Sequence, residues 1–149
     1  MYFSLVVTAA LALAALILSL VPARWRFLLW VAVIAGCVVP WIGWQDHAHW
    51  AGVNWVPFSS AIAPVKLSDV LINIVLYLPF GFLLVRHHAP GRLGLPAAVA
   101  GACLLSLLTE WAQVFSHGRF PTMTDVATNT LGGLLGALAA RRFGRRRAG

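Results

Sequence analysis

The sequence predicts an all-α fold, a polytopic bundle of about five transmembrane helices that forms a single membrane domain over residues 1–149. Its composition is 60% hydrophobic and 10% charged, with a mean hydropathy of +0.84. Soluble chains carry about 25% charged residues. Several apolar runs also approach the roughly 20 residues that cross a hydrocarbon core. Backbone polar groups in that core must be satisfied within the chain, and helices satisfy them.

Five apolar segments account for most of the chain. We number these predicted spans 1 to 5, and they cover residues 2–21, 27–44, 69–85, 93–115 and 125–140. Span 1 has no basic residue before its apolar run and no A-x-A cleavage site, so we expect a retained helix rather than a secretory signal. Between spans 2 and 3, Pro57 and Pro64 disfavour another long helix. Residues 50–64 are expected at the interface or over the site as a lid.

Basic residues define the expected orientation. Lysine and arginine are enriched in cytoplasmic loops, and here they cluster after spans 1, 3 and 5. We therefore expect the N-terminus outside and the C-terminus in the cytoplasm. Only Lys66 and Arg119 fall on the outer side, together with all four acids. The basic tail at 141–149 is expected to contact anionic lipid rather than nucleic acid.

Polar residues form one stripe on each of the last three spans. Spacings of three and four residues place such a set on one helix face. A stripe that contains charged side chains should face protein or water, because lipid offers these side chains no hydrogen-bond or ion-pair partner. The stripes are Asp69, Asn73, Tyr77 and Gly81 in span 3; Cys103, Ser106, Glu110, Gln113 and His117 in span 4; and Asp125, Asn129, Gly132 and Gly136 in span 5.

Two interpretations of these stripes stay open: an outward-facing polar pocket, or hydrogen bonds and ion pairs that lock three helices together. The same residues could do both. The pocket interpretation predicts these ligand-binding residues: Asp69, Asn73, Glu110, Gln113, Arg119, Asp125 and Asn129. Asp125 has a structural alternative as a first-turn acid, with Thr122 or Thr124 as the helix cap.

Small and kinking residues predict where helices pack closely. Gly132-x-x-x-Gly136 would let a neighbouring backbone approach, and Pro79 with Gly81 would bend span 3 or end it early. Tyr77 shares the face of Gly81 and is expected to pack there.

No metal or cofactor is expected. Asp46-His47-x-His49 does not define a zinc ligand set, so we interpret it as a solvated loop. Cys37 and Cys103 lie inside apolar runs and are interpreted as small buried side chains.

Three motif blocks occur in a fixed order between about residues 50 and 138. They read Asn54-x-x-Pro57-Phe58, then Asp69-x-x-x-Asn73-x-x-x-Tyr77-x-Pro79-x-Gly81, then Glu110-x-x-Gln113 followed by Arg119, Asp125, Asn129, Gly132 and Gly136. Together they resemble the motifs of VanZ-like proteins, a family named for an accessory protein of teicoplanin resistance. Thr122 departs from the pattern, since many members carry aspartate there. The resemblance implies a small multi-pass protein of the bacterial cytoplasmic (inner) membrane.

The function that we favour from the sequence is non-enzymatic. The protein would bind an anionic lipid-linked or lipoglycopeptide head group at the outer leaflet and contribute to glycopeptide tolerance or envelope homeostasis. Arg119 would pair with phosphate in a bidentate geometry. The expected partners of the protein are membrane lipids, a lipid-linked envelope precursor and a second copy of the chain, but no nucleic acid.

A second hypothesis is an intramembrane enzyme that acts on lipid head groups. Glu110 and Asp125 would be its catalytic acid and base, with pKa values separated by their environments. The sequence shows no convincing nucleophile or metal set, which disfavours this hypothesis.

A third hypothesis is an oligomeric, proton-coupled lipid transporter or flippase. Glu110 would carry the proton, and Gly132-x-x-x-Gly136 would supply a contact between copies.

Overall fold

The computed structural model describes residues 20–38, 44–60, 62, 64–88, 93–116 and 120–145, and its regular secondary structure there is helical. Helix α1 spans Ala23–Val38, α2 Leu67–Leu83, α3 Gly94–Gln113 and α4 Met123–Arg145. A 3-10 turn covers Trp50–Gly52, and a π-helical turn at Leu84–His88 extends α2. The all-α class is confirmed. Helices α1 to α4 overlap predicted spans 2 to 5, whereas residues 1–19 of span 1 lie outside the described part of the chain.

Within the described part of the chain, two helices are long and apolar enough to cross a membrane, at Leu67–His87 and Gly94–Gln113. Only 28% of the most apolar window of each is buried within the protein. The outer faces carry leucine and valine, including Leu71, Val75 and Leu104. Contiguous apolar surface of this kind is rare on soluble monomers, so the exterior is compatible with lipid. The number of five spans and the orientation stay predictions.

Glycines bring α4 into direct backbone contact with α2. A Cβ atom built on Gly136 would overlap the carbonyl oxygen of Leu78, and one on Gly132 would overlap that of Ile74. From the other helix, a Cβ on Gly81 would overlap the carbonyl oxygen of Gly133. The Gly-x-x-x-Gly face is therefore occupied within the chain. We expect any contact between copies to use a different surface.

Helix α2 continues past its internal proline. Pro79 lacks the N–H that would bond the carbonyl four residues earlier, yet the helix runs on to Leu83. Next to this position, the buried Trp30 indole of α1 donates to the carbonyl oxygen of Leu76 at 2.8 Å. Trp30 also packs in the core with Tyr77 and Phe80. A side-chain hydrogen bond thus fixes α1 against α2.

Replacing Gly136 with alanine should destabilise the protein, because the new Cβ would meet backbone atoms of α2. Overpacking of this kind costs about 1–3 kcal/mol. The matched control is Gly36→Ala in α1, where the added Cβ meets no atom of the described residues within 4 Å apart from its chain neighbours and its own helix backbone. That variant should be neutral or gain up to about 1 kcal/mol. Thermal unfolding in detergent compares the two, and equal midpoints would contradict the packing described.

Candidate functional site

A threonine caps the N-terminus of α4. The N–H of Thr124 donates to Oγ1 of Thr122 at 2.9 Å. Thr122 directly precedes Met123, the first residue of the helix. A side-chain oxygen that accepts from the second helical N–H is the usual N-cap arrangement. Of the two threonines that the sequence offered as caps, Thr122 has this position.

Glu110 joins the end of α3 to the start of α4. Its side chain is 5% exposed, and Oε2 accepts the backbone N–H of Thr122 at 2.8 Å. Buried backbone donors need such a partner. The carboxylate therefore holds the residue that caps the next helix.

Side-chain hydrogen bonds connect α4 to both of its neighbours, α2 and α3. Asn73 of α2 donates through Nδ2 to Oδ1 of Asp125 at 2.7 Å. Deeper in the bundle, Asn129 donates through Nδ2 to Oγ of Ser106 on α3 at 2.8 Å. Asn129 and Ser106 are fully buried. These contacts between helices correspond to the locking interpretation of the polar stripes.

The loop that precedes α2 is attached first to the end of α3. The N–H of Gln45 donates to the carbonyl of Phe115 at 2.9 Å, and the N–H of His49 donates to that of Val114 at 3.0 Å. The ring of Trp44 stacks on that of Phe115, with centroids 6.4 Å apart. This loop therefore lies against the last turn of α3.

The same loop is then attached to the start of α4 through its Asn54-x-x-Pro57-Phe58 motif. The N–H of Asn54 donates to the carbonyl of Pro121 at 2.8 Å, and its own carbonyl accepts the N–H of Met123 at 3.0 Å. Phe58, with φ of 60°, donates its N–H to Oγ1 of Thr124 at 2.8 Å. The motif therefore holds the loop against the N-terminus of α4.

A cavity of about 420 Å³ lies where this loop meets the start of α2, the end of α3 and the start of α4. Its volume is within the range of about 300–1,000 Å³ usual for small-molecule sites. Its walls are formed by Asn54, Ile62, Pro64, Val65, Lys66, Asp69, Val70, Gln113, Phe120, Thr122, Thr124 and Asp125. Asn54, Ile62 and Pro64 thus contribute to the cavity from the loop before α2.

The predicted ligand-binding residues are divided between the cavity and the helix contacts. Asp69, Gln113 and Asp125 line the cavity. The two asparagines bond between helices, and Glu110 bonds the Thr122 N–H. Arg119 and His117 lie outside the described residues. Of the two proposed catalytic acids, Asp125 faces the cavity and accepts from Asn73.

Lys66 and the two threonines also line the cavity, although the sequence did not predict that they bind a ligand. A sequence signal was present for Lys66, because it is the only lysine and falls on the side that we predict to be outer, together with the acids. The threonines were considered only as caps. Lys66, Asp69 and Asp125 are the charged side chains among the described lining residues. The cavity therefore offers one cation, two anions and several neutral hydrogen-bonding groups.

The Asp46 and His47 side chains pair in the exposed loop, with Nδ1 of His47 2.7 Å from Oδ1 of Asp46. This hydrogen bond is the main cause that lowers the pKa of the Asp46 carboxyl. In the described residues, no three histidine, cysteine or acidic side chains are grouped as metal ligands would be.

Comparison with known proteins gives two matches. A family model described as VanZ/LLP1 matches residues 25–144. Protein VanZ of Enterococcus faecium is 34% identical over 89 residues, which are 59% of this chain and 52% of that protein. The chain thus spans about half the length of this curated relative. No solved structure matches the chain.

Removing the cap hydroxyl in Thr122→Ala should lower the free energy of unfolding by about 0.5–2 kcal/mol. Thr122→Ser keeps the cap oxygen and should keep most of the stability. The control is Thr130→Ala, because that hydroxyl bonds only the Val126 carbonyl of its own helix, at 2.7 Å. Unfolding in detergent measures all three variants. Equal losses in Thr122→Ala and Thr122→Ser would contradict the capping role.

Proposed function

Because the chain belongs to the VanZ/LLP1 family, we propose that it is a multi-pass membrane protein of the bacterial cell envelope that binds a head group in the cavity. The ligand is an anionic lipid-linked or lipoglycopeptide head group. By binding it at the outer face of the cytoplasmic membrane, the protein contributes to glycopeptide tolerance or envelope homeostasis. The link to glycopeptide tolerance comes from the family, whereas head-group binding is argued from the polar residues of this chain.

The observation that carries the proposal is a polar cavity at one end of helices whose outer faces are apolar. The start of α2, the end of α3 and the start of α4 all border it. If α2 and α3 cross the membrane, as their length and hydropathy allow, this end lies near the membrane surface. Head groups of amphiphiles are found at that depth.

The lining matches a head group that carries both an anion and neutral polar groups. The Lys66 ammonium can pair with phosphate or carboxylate, and Gln113 can donate through its amide. The Asp69 and Asp125 carboxylates accept from hydroxyl or amide N–H groups, such as those of sugars and peptides. Arg119 completes the proposal as a bidentate partner of phosphate. Glu110 has a structural part in this proposal, since it bonds the cap residue of α4.

Replacing Lys66 with glutamine should reduce the amount of bound anionic lipid up to about fivefold, because an exposed charge pair contributes about 1 kcal/mol or less. Native mass spectrometry of the full chain with phosphatidylglycerol measures the occupancy. Arg86→Gln is the control, since Arg86 is an exposed cation in the π-helical turn after α2. Equal losses in both variants would indicate nonspecific charge attraction and contradict the proposal.

The proposal also requires the cavity to face outward. A green fluorescent protein fused to the C-terminus should fluoresce, because the basic tail is expected in the cytoplasm. Alkaline phosphatase fused to the same end should be inactive there. Active phosphatase at the C-terminus would place the cavity on the cytoplasmic side and overturn the outer-leaflet ligand.

A further inference from the structure

A second space, an apolar groove of about 180 Å³, lies beside the polar cavity. Apart from Glu110 and Thr122, its lining side chains are apolar or aromatic, and they include Val53, Leu107 and Met123. Its volume is below the roughly 300–1,000 Å³ of pockets that enclose a drug-sized ligand. The groove is therefore suited to part of an uncharged chain rather than to a whole polar molecule.

The groove and the cavity adjoin at the connection between α3 and α4. Thr122 lines both spaces. On α3, Glu110 lines the groove and Gln113 lines the cavity. These two residues are three positions apart, so they lie on the same face of the helix. A molecule with a polar end and an apolar end could occupy both spaces at once.

The groove opens on the side of α3 that is apolar and exposed. Leu107 is 40% exposed and Trp111 is 56% exposed, and both belong to a helix long and apolar enough to cross a membrane. Trp50 and Trp55 form its rim on the loop. Tryptophan is enriched where acyl chains meet head groups. The Glu110 carboxylate on this wall is bonded to the N–H of Thr122.

We propose that the groove binds the hydrocarbon chain of the same ligand whose head group occupies the cavity. This inference rests on the proposed function and adds the site at which the acyl or prenyl chain of the ligand binds. Leu107 and Trp111 become residues that select for the chain, while Lys66, Asp69 and Asp125 contact the head group. A ligand with the head group alone should therefore bind more weakly than its chain-bearing form.

The test compares two probes with one head group. Palmitoyl-lysophosphatidylglycerol carries a chain, and glycerophosphoglycerol carries none. Native mass spectrometry of the full chain in detergent measures lysolipid occupancy, and competition by glycerophosphoglycerol reports the head-group site. Leu107→Trp fills the groove and should lower the lysolipid affinity about tenfold, because about two methylene groups of the acyl chain would no longer be buried. The control is Leu104→Trp, at a position on α3 that is 60% exposed and outside the groove lining.

The outcomes separate this inference from the proposed function. Competition retained in both variants, with lysolipid affinity lost only in Leu107→Trp, supports the groove as the chain site. Unchanged lysolipid affinity in Leu107→Trp overturns the groove as the chain site and does not affect the head-group site. If glycerophosphoglycerol does not compete in the unmodified protein, the proposed function and this inference both fail.

A second measurement needs no variant and so does not depend on whether Leu107→Trp folds. A lysophosphatidylglycerol with a diazirine in its acyl chain should cross-link to Leu107, Trp111 or Met123. Labelling confined to the exposed leucines of α4, such as Leu131 and Leu135, would overturn the inference.

Discussion

The hydrogen bond from the Thr122 amide to the Glu110 carboxylate joins the two helix ends around which the site is built. Thr122 caps α4 through its side chain while its backbone is held by α3. It also lines both the cavity and the groove. A carboxylate placed in a strongly apolar helix is costly. Here that carboxylate supplies the acceptor that positions the cap residue of α4.

In the rest of the bundle, polar side chains lie between the helices and apolar side chains lie on the exterior. Asn73, Ser106 and Asn129 make hydrogen bonds between helices, while leucines cover the exterior. Water is not available in hydrocarbon to satisfy polar side chains, so hydrogen bonds within the chain take its place. Such bonds contribute only about 0.6 kcal/mol on average. The close contact between α2 and α4 comes from packing at the glycines, and the hydrogen bonds add to the orientation of the two helices.

The asparagine and phenylalanine of the loop motif make the hydrogen bonds that attach the loop before α2. Asn54 uses both backbone groups to pair with the chain before α4, and its side chain donates to the Ser59 carbonyl at 2.7 Å. The positive φ of Phe58 directs its N–H to Thr124. These bonds hold the loop over the ends of α3 and α4. The part of the cavity wall that this loop forms is consequently held in place by hydrogen bonds.

The sequence by itself determined the helical class, the family and the faces on which polar residues and glycines lie. These follow from composition, motif order and helical spacing, which are local properties of the chain. Only the tertiary structure decided which polar residues bond each other, because partners depend on the rotation and longitudinal register of neighbouring helices. Spacing placed Asn129 and Asp125 on one face, yet Asn129 bonds α3 while Asp125 bonds α2 and faces the cavity. The loop's attachment to α4 arises mainly from backbone hydrogen bonds between distant residues, and the spacing of side chains along the chain does not reveal these pairs.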